Sequence, residues 1–410
     1  MKDCSLNKGF TDYVWGNLSF YNFLVGVKKL EKFEFWEEGY KKFVKFAHNK
    51  DFVLESGKRF GPITVAYETY GEINKEKNNI ILITHALTGD SHVARHSEDD
   101  PKPGWWDKFV GPGKMFDTNK YFIVCSNVLG GCQGTTGPSS IDPETGKPYG
   151  ARFPIITIKD MVNVQKKLME ALGIDHILCV VGGSMGGMQA LEWAVSYPDF
   201  MDGVINIASP LKLNAQSIAF NEVMRRAIMA DPNWNGGDYY DKTGPAQGLS
   251  IARMLGMITY QSDKLMDRKF NRRMKDPVES FFESFNTEFE VESYLHYQGM
   301  KLVQRFDANT YLYLTRAMDL YDLERTYGSE EEALKRIKAK FLLIAITSDI
   351  LFPLSQMRHM RDKLQKAGVD LVYREIESDY GHDSFLVEED KYRDIIVEFL
   401  ELLYNKEMIK

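Results

Sequence analysis

A serine hydroxyl becomes a useful nucleophile only when its surroundings hold it within reach of a base. One stretch of this chain is built for that. Ser184 lies in Val181-Gly182-Gly183-Ser184-Met185-Gly186-Gly187-Met188. The apolar run Ile177-Leu178-Cys179-Val180-Val181 before it predicts a buried strand, and Gln189-Ala190-Leu191-Glu192-Trp193-Ala194 after it predicts a helix. Strand, G-x-S-x-G and helix in that order make a nucleophile elbow. The glycines serve a steric purpose: the sharp turn strains the serine backbone, and flanking side chains would strike the adjoining strand and helix. The following helix aims its N-terminal dipole at charge developing on a bound carbonyl. Such a serine needs a histidine base, and the histidine needs a carboxylate to orient it. Behind a nucleophile elbow the acid follows a late strand and the histidine follows the last one. Asp349, in Thr347-Ser348-Asp349 after the apolar run 341–346, is the candidate acid. His382, in Asp379-Tyr380-Gly381-His382-Asp383 after the run 369–376, is the candidate base. An oxyanion also needs two backbone N–H donors. Met185 supplies one, and Leu87, in Thr84-His85-Ala86-Leu87-Thr88-Gly89, the other, with Ala86 as the alternative.

These residues need a sheet to hold them in register. Strand patterns occur at 63–70, 79–84, 121–126, 177–181, 203–208, 341–346 and 369–376, with helical patterns at 158–172 and 391–404. Alternation of this kind implies an α/β class: a mostly parallel sheet flanked by helices on both faces. Between 211 and 338 no strand is convincing; helical segments at 213–229, 246–260, 278–285, 291–306 and 311–327 imply an inserted lid. The expected organisation is a core of 51–210 and 339–410, a helical lid at 211–338, and an aromatic-rich N-terminal extension at 1–50. In that extension Trp36, Tyr40, Phe43, Val44 and Ala47 recur at helical spacing, which predicts a helix docked on the body or on a sister subunit.

Composition narrows the function classes. The chain has 410 residues, 44% apolar, and a net charge of −7 with no basic tract, which argues against a nucleic-acid partner. No apolar run reaches the roughly 18 residues of a membrane span. The start, Met1-Lys2-Asp3-Cys4-Ser5-Leu6, lacks the pattern of a secretion signal, so a cytoplasmic location is expected. Cys4, Cys125, Cys132 and Cys179 show no C-x-x-C spacing and read as reduced thiols; Cys132 has no base near it in sequence to make it a nucleophile. His85, His92 and His96 are close in sequence, but they lie on a loop and no nearby cysteine or carboxylate completes a set, so no metal is expected.

Further motifs make the chain similar to one family. Val65-Ala66-Tyr67-Glu68-Thr69-Tyr70-Gly71, His85-Ala86-Leu87-Thr88-Gly89-Asp90 and Asn127-Val128-Leu129-Gly130-Gly131-Cys132 accompany the elbow. So does Gly134-Thr135-Thr136-Gly137-Pro138-Ser139-Ser140. From about residue 51 onward the chain resembles the homoserine O-acyltransferases of methionine biosynthesis, on the α/β-hydrolase fold. The resemblance implies ping-pong acyl transfer from acetyl-CoA to L-homoserine through an acyl-serine on Ser184, with acyl-CoA as co-substrate, no further cofactor, and a homodimer. It assigns Arg253 and Tyr260 to the acceptor's carboxylate and Asp383 to its ammonium. The residues agree: Arg253 and Tyr260 lie two turns apart on one predicted helix face, and Asp383 adjoins His382. Alternatives are succinyl-CoA as donor, with Arg225, Arg226 or Arg316 as the extra cation, and L-serine as acceptor. Further off stand an esterase or thioesterase, and a non-catalytic binding protein.

Overall fold

The structure is a computed structural model that describes residues 32–275 and 289–408. The helix expected at 278–285 lies outside the described residues. One large sheet organises the rest. In chain order its strands are β1 (Glu34–Glu38), β2 (Lys41–Phe46), β3 (Ile63–Tyr70), β4 (Ile80–Thr84), β5 (Phe122–Ser126), β6 (Ile177–Gly183), β7 (Met201–Ile207), β8 (Lys340–Ile346) and β9 (Leu371–Ile376). Their spatial order is β1-β2-β3-β5-β4-β6-β7-β8-β9. The first four are joined antiparallel; from β5 onward every pairing is parallel. Continuous apolar runs such as Ile80-Ile81-Leu82-Ile83 bury both faces of their strand, as a covered parallel sheet requires.

Helices α1 (Ile158–Ala171) and α2 (Met185–Ser196) follow β5 and β6. Thr157 and Asp160 form a reciprocal capping box that starts α1. Between β7 and β8 the chain builds the lid from α3 (Ala215–Ala230), α4 (Ala246–Tyr260), α5 (Asp263–Lys269), α6 (Glu290–Val303), α7 (Ala308–Leu320), α8 (Leu323–Tyr327) and α9 (Glu330–Leu334). The single helix expected at 311–327 is two, because the Asp322 carboxylate accepts from the Glu324 amide and caps a new start. Helices α10 (Leu354–Lys366), α11 (Ser384–Val387) and α12 (Glu389–Met408) complete the chain. Two apolar cores result, one on each sheet face; Trp193 anchors one, and Trp106, Phe385 and Tyr392 the other. No helix among the described residues is long and apolar enough to cross a membrane.

The helix expected around residues 36–47 is a β-hairpin on the sheet edge. Its register sets Glu34 opposite Lys45, Glu37 opposite Lys42 and Glu38 opposite Lys41, with Trp36 stacked on Phe43 at 5.0 Å. Opposite charges and paired aromatics across two strands outweigh the helical spacing. Residues 34–46 therefore belong to the core sheet, and the boundary drawn at residue 50 moves toward the N-terminus.

Candidate active site

The elbow takes the form the glycines demand. Ser184 sits at φ 57° and ψ −127°, between β6 and α2, with its amide bonded to the Ile207 carbonyl at 3.0 Å. A Cβ on Gly186 would stand 2.1 Å from the Thr84 carbonyl oxygen, and one on Gly183 would stand 2.5 Å from the Phe385 ring. Glycine thus lets α2 press against the end of β4, and that contact brings the loop of Ala86 and Leu87 to Ser184. The contact is tied by hydrogen bonds. Thr84 Oγ1 donates to the carbonyl of Gly186 at 2.8 Å, and Gln189 Nε2 donates to the carbonyl of His85 at 3.1 Å. His85 holds the loop's other side: Nδ1–H donates to the Ala86 carbonyl at 2.8 Å, and Nε2 accepts from the Val128 amide at 3.1 Å. Burial lowers the pKa of His85, which suits a neutral ring in that role.

His382 Nδ1 donates to Asp349 Oδ2 at 2.6 Å. The other carboxylate oxygen, Oδ1, accepts from the amides of Leu351 and Phe352, each at 2.9 Å. The acid is therefore fixed by its own loop. His382 Nε2 is buried and has no hydrogen-bond partner among the described residues. Phe352 and Phe385 meet the imidazole edge-on at 5.1 and 5.6 Å and shield it from water. The Gly381 amide donates to Ser348 Oγ at 3.0 Å, joining the base loop to the acid loop.

Ser184 and His382 line one cavity of about 70 Å³ together with Leu87, Arg253, Tyr260 and Asp383. Every site residue expected from sequence is placed here: Asp349 reaches the cavity through His382, and Met185 opens α2, where a first-turn amide has no helical partner. The Arg253 guanidinium lies 5.6 Å from the Tyr260 ring centre, on the same face of α4. Gly256 between them leaves room; a Cβ there would come within 3.2 Å of the ring. Burial raises the pKa of Asp383, and Arg253 opposes the rise. Burial likewise raises the Tyr260 phenol. The cavity thus carries a cation on the lid side and a desolvated carboxylate beside the base.

Sequence reading missed several contributors. Gln189 and Thr84, which lock the loop to the elbow, carry no motif of their own. Arg305 donates to the Thr88 carbonyl at 2.9 Å and forms no ion pair among the described residues. The cations held in reserve for a succinyl tail are elsewhere: Arg225 pairs with Asp319 at 2.7 Å, Arg226 with Glu222 at 2.7 Å, and Arg316 borders a different surface cavity. Cys132 does not line this cavity, and burial pushes its thiol up to about 11, away from the reactive thiolate. The expectation that no carboxylate completes a histidine set is also corrected. Glu68, from β3, meets His92 and His96, while His85 is engaged elsewhere. The Glu68 hydrogen bond pushes His92 up to about 9. Burial alone would raise Glu68, but bonds from both imidazoles outweigh it and hold it well below the carboxylate range.

An elbow serine, an acid after β8 and a histidine after β9 define an α/β-hydrolase, and residues 79–389 match the family model described as alpha/beta hydrolase fold. Closer relatives narrow this. The homoserine O-acetyltransferase of Deferribacter desulfuricans is 56% identical over 357 residues, covering 87% of this chain and 94% of its own length. The crystal structure of homoserine O-acetyltransferase from Bacillus anthracis superposes with a TM-score of 0.82 at 31% identity, over 88% of this chain and 97% of that one. Esterase E22 superposes with a TM-score of 0.82 at 32% identity, over 88% of this chain and 99% of that one. The chain belongs to the homoserine O-acetyltransferase family, and it is an acyltransferase.

Proposed function

We propose that the protein transfers the acetyl group of acetyl-CoA to the side-chain hydroxyl of L-homoserine, giving O-acetyl-L-homoserine and CoA as a step of methionine biosynthesis. The observation that carries this reading is the pairing of Arg253 and Asp383 around the cavity that holds Ser184 and His382. A zwitterionic amino acid fits opposite charges so placed: guanidinium to α-carboxylate, carboxylate to α-ammonium. Tyr260 adds a phenol on the carboxylate side.

The chemistry runs in two halves. His382 takes the Ser184 proton, Oγ attacks the thioester carbonyl, and the oxyanion is held by the amides of Leu87 and Met185. The tetrahedral adduct collapses, CoA leaves with the proton from His382, and acetyl-Ser184 remains. Homoserine then enters; His382 takes its hydroxyl proton, the oxygen attacks the acyl-serine, and Ser184 is regenerated. Asp349 keeps the proton on Nδ1 and stabilises the imidazolium. Acetyl is favoured over succinyl because Arg225, Arg226 and Arg316 do not line this cavity. L-Serine remains the nearest competing acceptor, since one methylene is worth only about 1–3 kcal/mol. Acyl-CoA is the co-substrate and no further cofactor is invoked.

A cytoplasmic homodimer is part of the reading. Ile251, Ile258, Tyr297 and Met300 on α4 and α6 are 45–61% exposed, an apolar set on the lid that a second copy would cover. A monomeric mass by light scattering at micromolar concentration would count against it.

The test is free-thiol release from acetyl-CoA and from succinyl-CoA, each with L-homoserine, L-serine or no acceptor. Fast release from acetyl-CoA only with homoserine supports the proposal. Equal release without any amino acid means a hydrolase, and the roles given to Arg253, Tyr260 and Asp383 fall with it.

A further inference from the structure

We propose that Glu68, His92 and His96 form a binding site for a first-row divalent cation such as Zn²⁺, separate from the catalytic cavity. None of the three lines that cavity, so the inference does not rest on the acyl-transfer reading.

The donor set is the first argument. Two imidazole nitrogens and one carboxylate oxygen, with a position left for water, suit Zn²⁺. Their ligand atoms lie within 4.8 Å of one another. His92 Nδ1 is 2.8 Å and His96 Nε2 is 2.9 Å from the same oxygen, Glu68 Oε2. A tetrahedral ion with bonds of about 2.0–2.1 Å needs its ligands about 3.3 Å apart. Opening each nitrogen–oxygen distance by about 0.4–0.5 Å and setting the two nitrogens about 3.3 Å apart would admit it.

The second argument is that the donors are held from behind. In metal sites the ring nitrogen facing away from the ion donates to a carbonyl, fixing tautomer and orientation. His92 does this: Nε2 bonds to the Lys102 carbonyl at 2.9 Å, which leaves Nδ1 for the ion. Ser91 Oγ donates to Glu68 Oε1 and Tyr70 OH to Oε2, both at 3.0 Å. The His96 ring is clamped between Tyr40 and Tyr70, with ring centres 4.4 and 4.3 Å away. Tyr40 reaches the cluster from the edge hairpin, which gives that hairpin a task beyond covering the sheet.

Access is the third. Glu68 is buried at 2% exposure, but the His92 and His96 side chains are 21% and 13% exposed, enough for an ion and its water to enter. On binding, the ion replaces the two ring protons that Glu68 Oε2 now accepts. His92 releases one proton to solvent, and the His96 proton moves to Nδ1.

The experiment uses the full-length, untagged, chelator-stripped protein and Zn²⁺ alone, measured by equilibrium dialysis. The expected result is one ion per chain at micromolar or lower concentration, weakened at least about tenfold by His92→Gln and again by His96→Gln. Both variants should keep the esterase rate of the unaltered chain on p-nitrophenyl acetate. A second measurement needs no substitution: Co²⁺ bound to the unaltered chain should show visible bands of nitrogen and oxygen ligation. Thiolate charge-transfer bands, binding only at millimolar Zn²⁺, or equal affinity in both variants overturns the proposal.

Discussion

Replacing Asp349 by asparagine separates geometry from proton placement. The two oxygens of Asp349 have different duties: Oδ1 accepts from the Leu351 and Phe352 amides at 2.9 Å each, and Oδ2 accepts from His382 Nδ1 at 2.6 Å. In Asp349→Asn the amide oxygen has only one place to go. It must stay on the two backbone donors, because turning it round would set an NH₂ group against two N–H groups. The amide nitrogen then faces His382 and donates to Nδ1. That forces the ring proton onto Nε2, the atom that must accept from Ser184. The shape of the site survives while the base is disabled. Where a triad acid is made an amide and the wrong tautomer follows, kcat falls by about 10⁴-fold, equivalent to about 5 kcal/mol of barrier. The assay is CoA release from acetyl-CoA with homoserine, alongside Tm by circular dichroism. The expected outcome is a loss near four decades in kcat with Tm within a few degrees. A loss under tenfold with Tm intact would refute the reasoning, because Asp349 would then not govern the His382 tautomer.

Three further outcomes follow from the same structure. Arg253→Ala removes a charge-assisted contact worth about 1.5–3 kcal/mol, so kcat/KM for homoserine should fall by one to two decades. Acylation by p-nitrophenyl acetate should change less than threefold, and equal losses in both would remove Arg253 from the acceptor pocket. Glu192, 1% exposed on α2, is pushed up to about 7 by burial, against hydrogen bonds from Ser196 and Tyr327. Its folded pKa lies above its unfolded one, so its contribution is whole below about pH 4.5 and is lost as pH rises toward 7. Glu192→Gln should therefore stabilise the fold by about 2–3 kcal/mol more at pH 8 than at pH 5 in urea titrations; a gain independent of pH would show that the carboxylate does not titrate in this range. Gly186→Ala sets a methyl 2.1 Å from the Thr84 carbonyl and should part the oxyanion loop from the elbow; soluble protein with unaltered kcat would show that the contact is not required.

The candidate site was legible because its residues are marked by local signals. An elbow needs glycine at fixed offsets, and the acid and base fall directly after strands whose apolar runs are plain. Contacts between distant segments were not legible. Glu68 meets His92 across a β-strand and a loop, and no spacing rule links them. Arg225 looked free to bind an acyl carboxylate until Asp319 on α7 neutralised it. The edge hairpin is a different failure. Glu34-Phe35-Trp36-Glu37-Glu38 and Lys41-Lys42-Phe43-Val44-Lys45 are charge complements read in opposite directions, with Gly39-Tyr40 between them. That is a hairpin signal in sequence, but the same aromatics also satisfy a helical period, so the spacing alone is ambiguous.

The likeness to esterase E22 is as close, by TM-score, as the likeness to the Bacillus anthracis homoserine O-acetyltransferase, 0.82 in each case. A shared fold therefore does not by itself decide between water and an amino acid as the second nucleophile. The decision rests on whether an acceptor hydroxyl is positioned well enough to outrun water, and good positioning is worth effective concentrations of about 10⁵ M or more. Here the two groups that would do it come from separate parts of the chain: Arg253 from the lid helix α4, Asp383 from the turn after β9. They line one cavity because the lid is bolted to that turn. Ser262, just beyond α4, donates to the Asp379 carbonyl, and Gly381, at φ 68°, leaves its Cβ position 2.9 Å from the Tyr260 carbonyl oxygen. A side chain at Gly381 would push the lid away from the base loop. On the proposed reading, acceptor specificity depends on lid docking. A substitution that loosens that seam, such as Ser262→Ala, should shift the partition of acetyl-Ser184 from homoserine toward water before it slows acylation. The ratio of O-acetylhomoserine to acetate formed from acetyl-CoA reads that partition directly; a ratio unmoved while acylation slows would place specificity in the core instead.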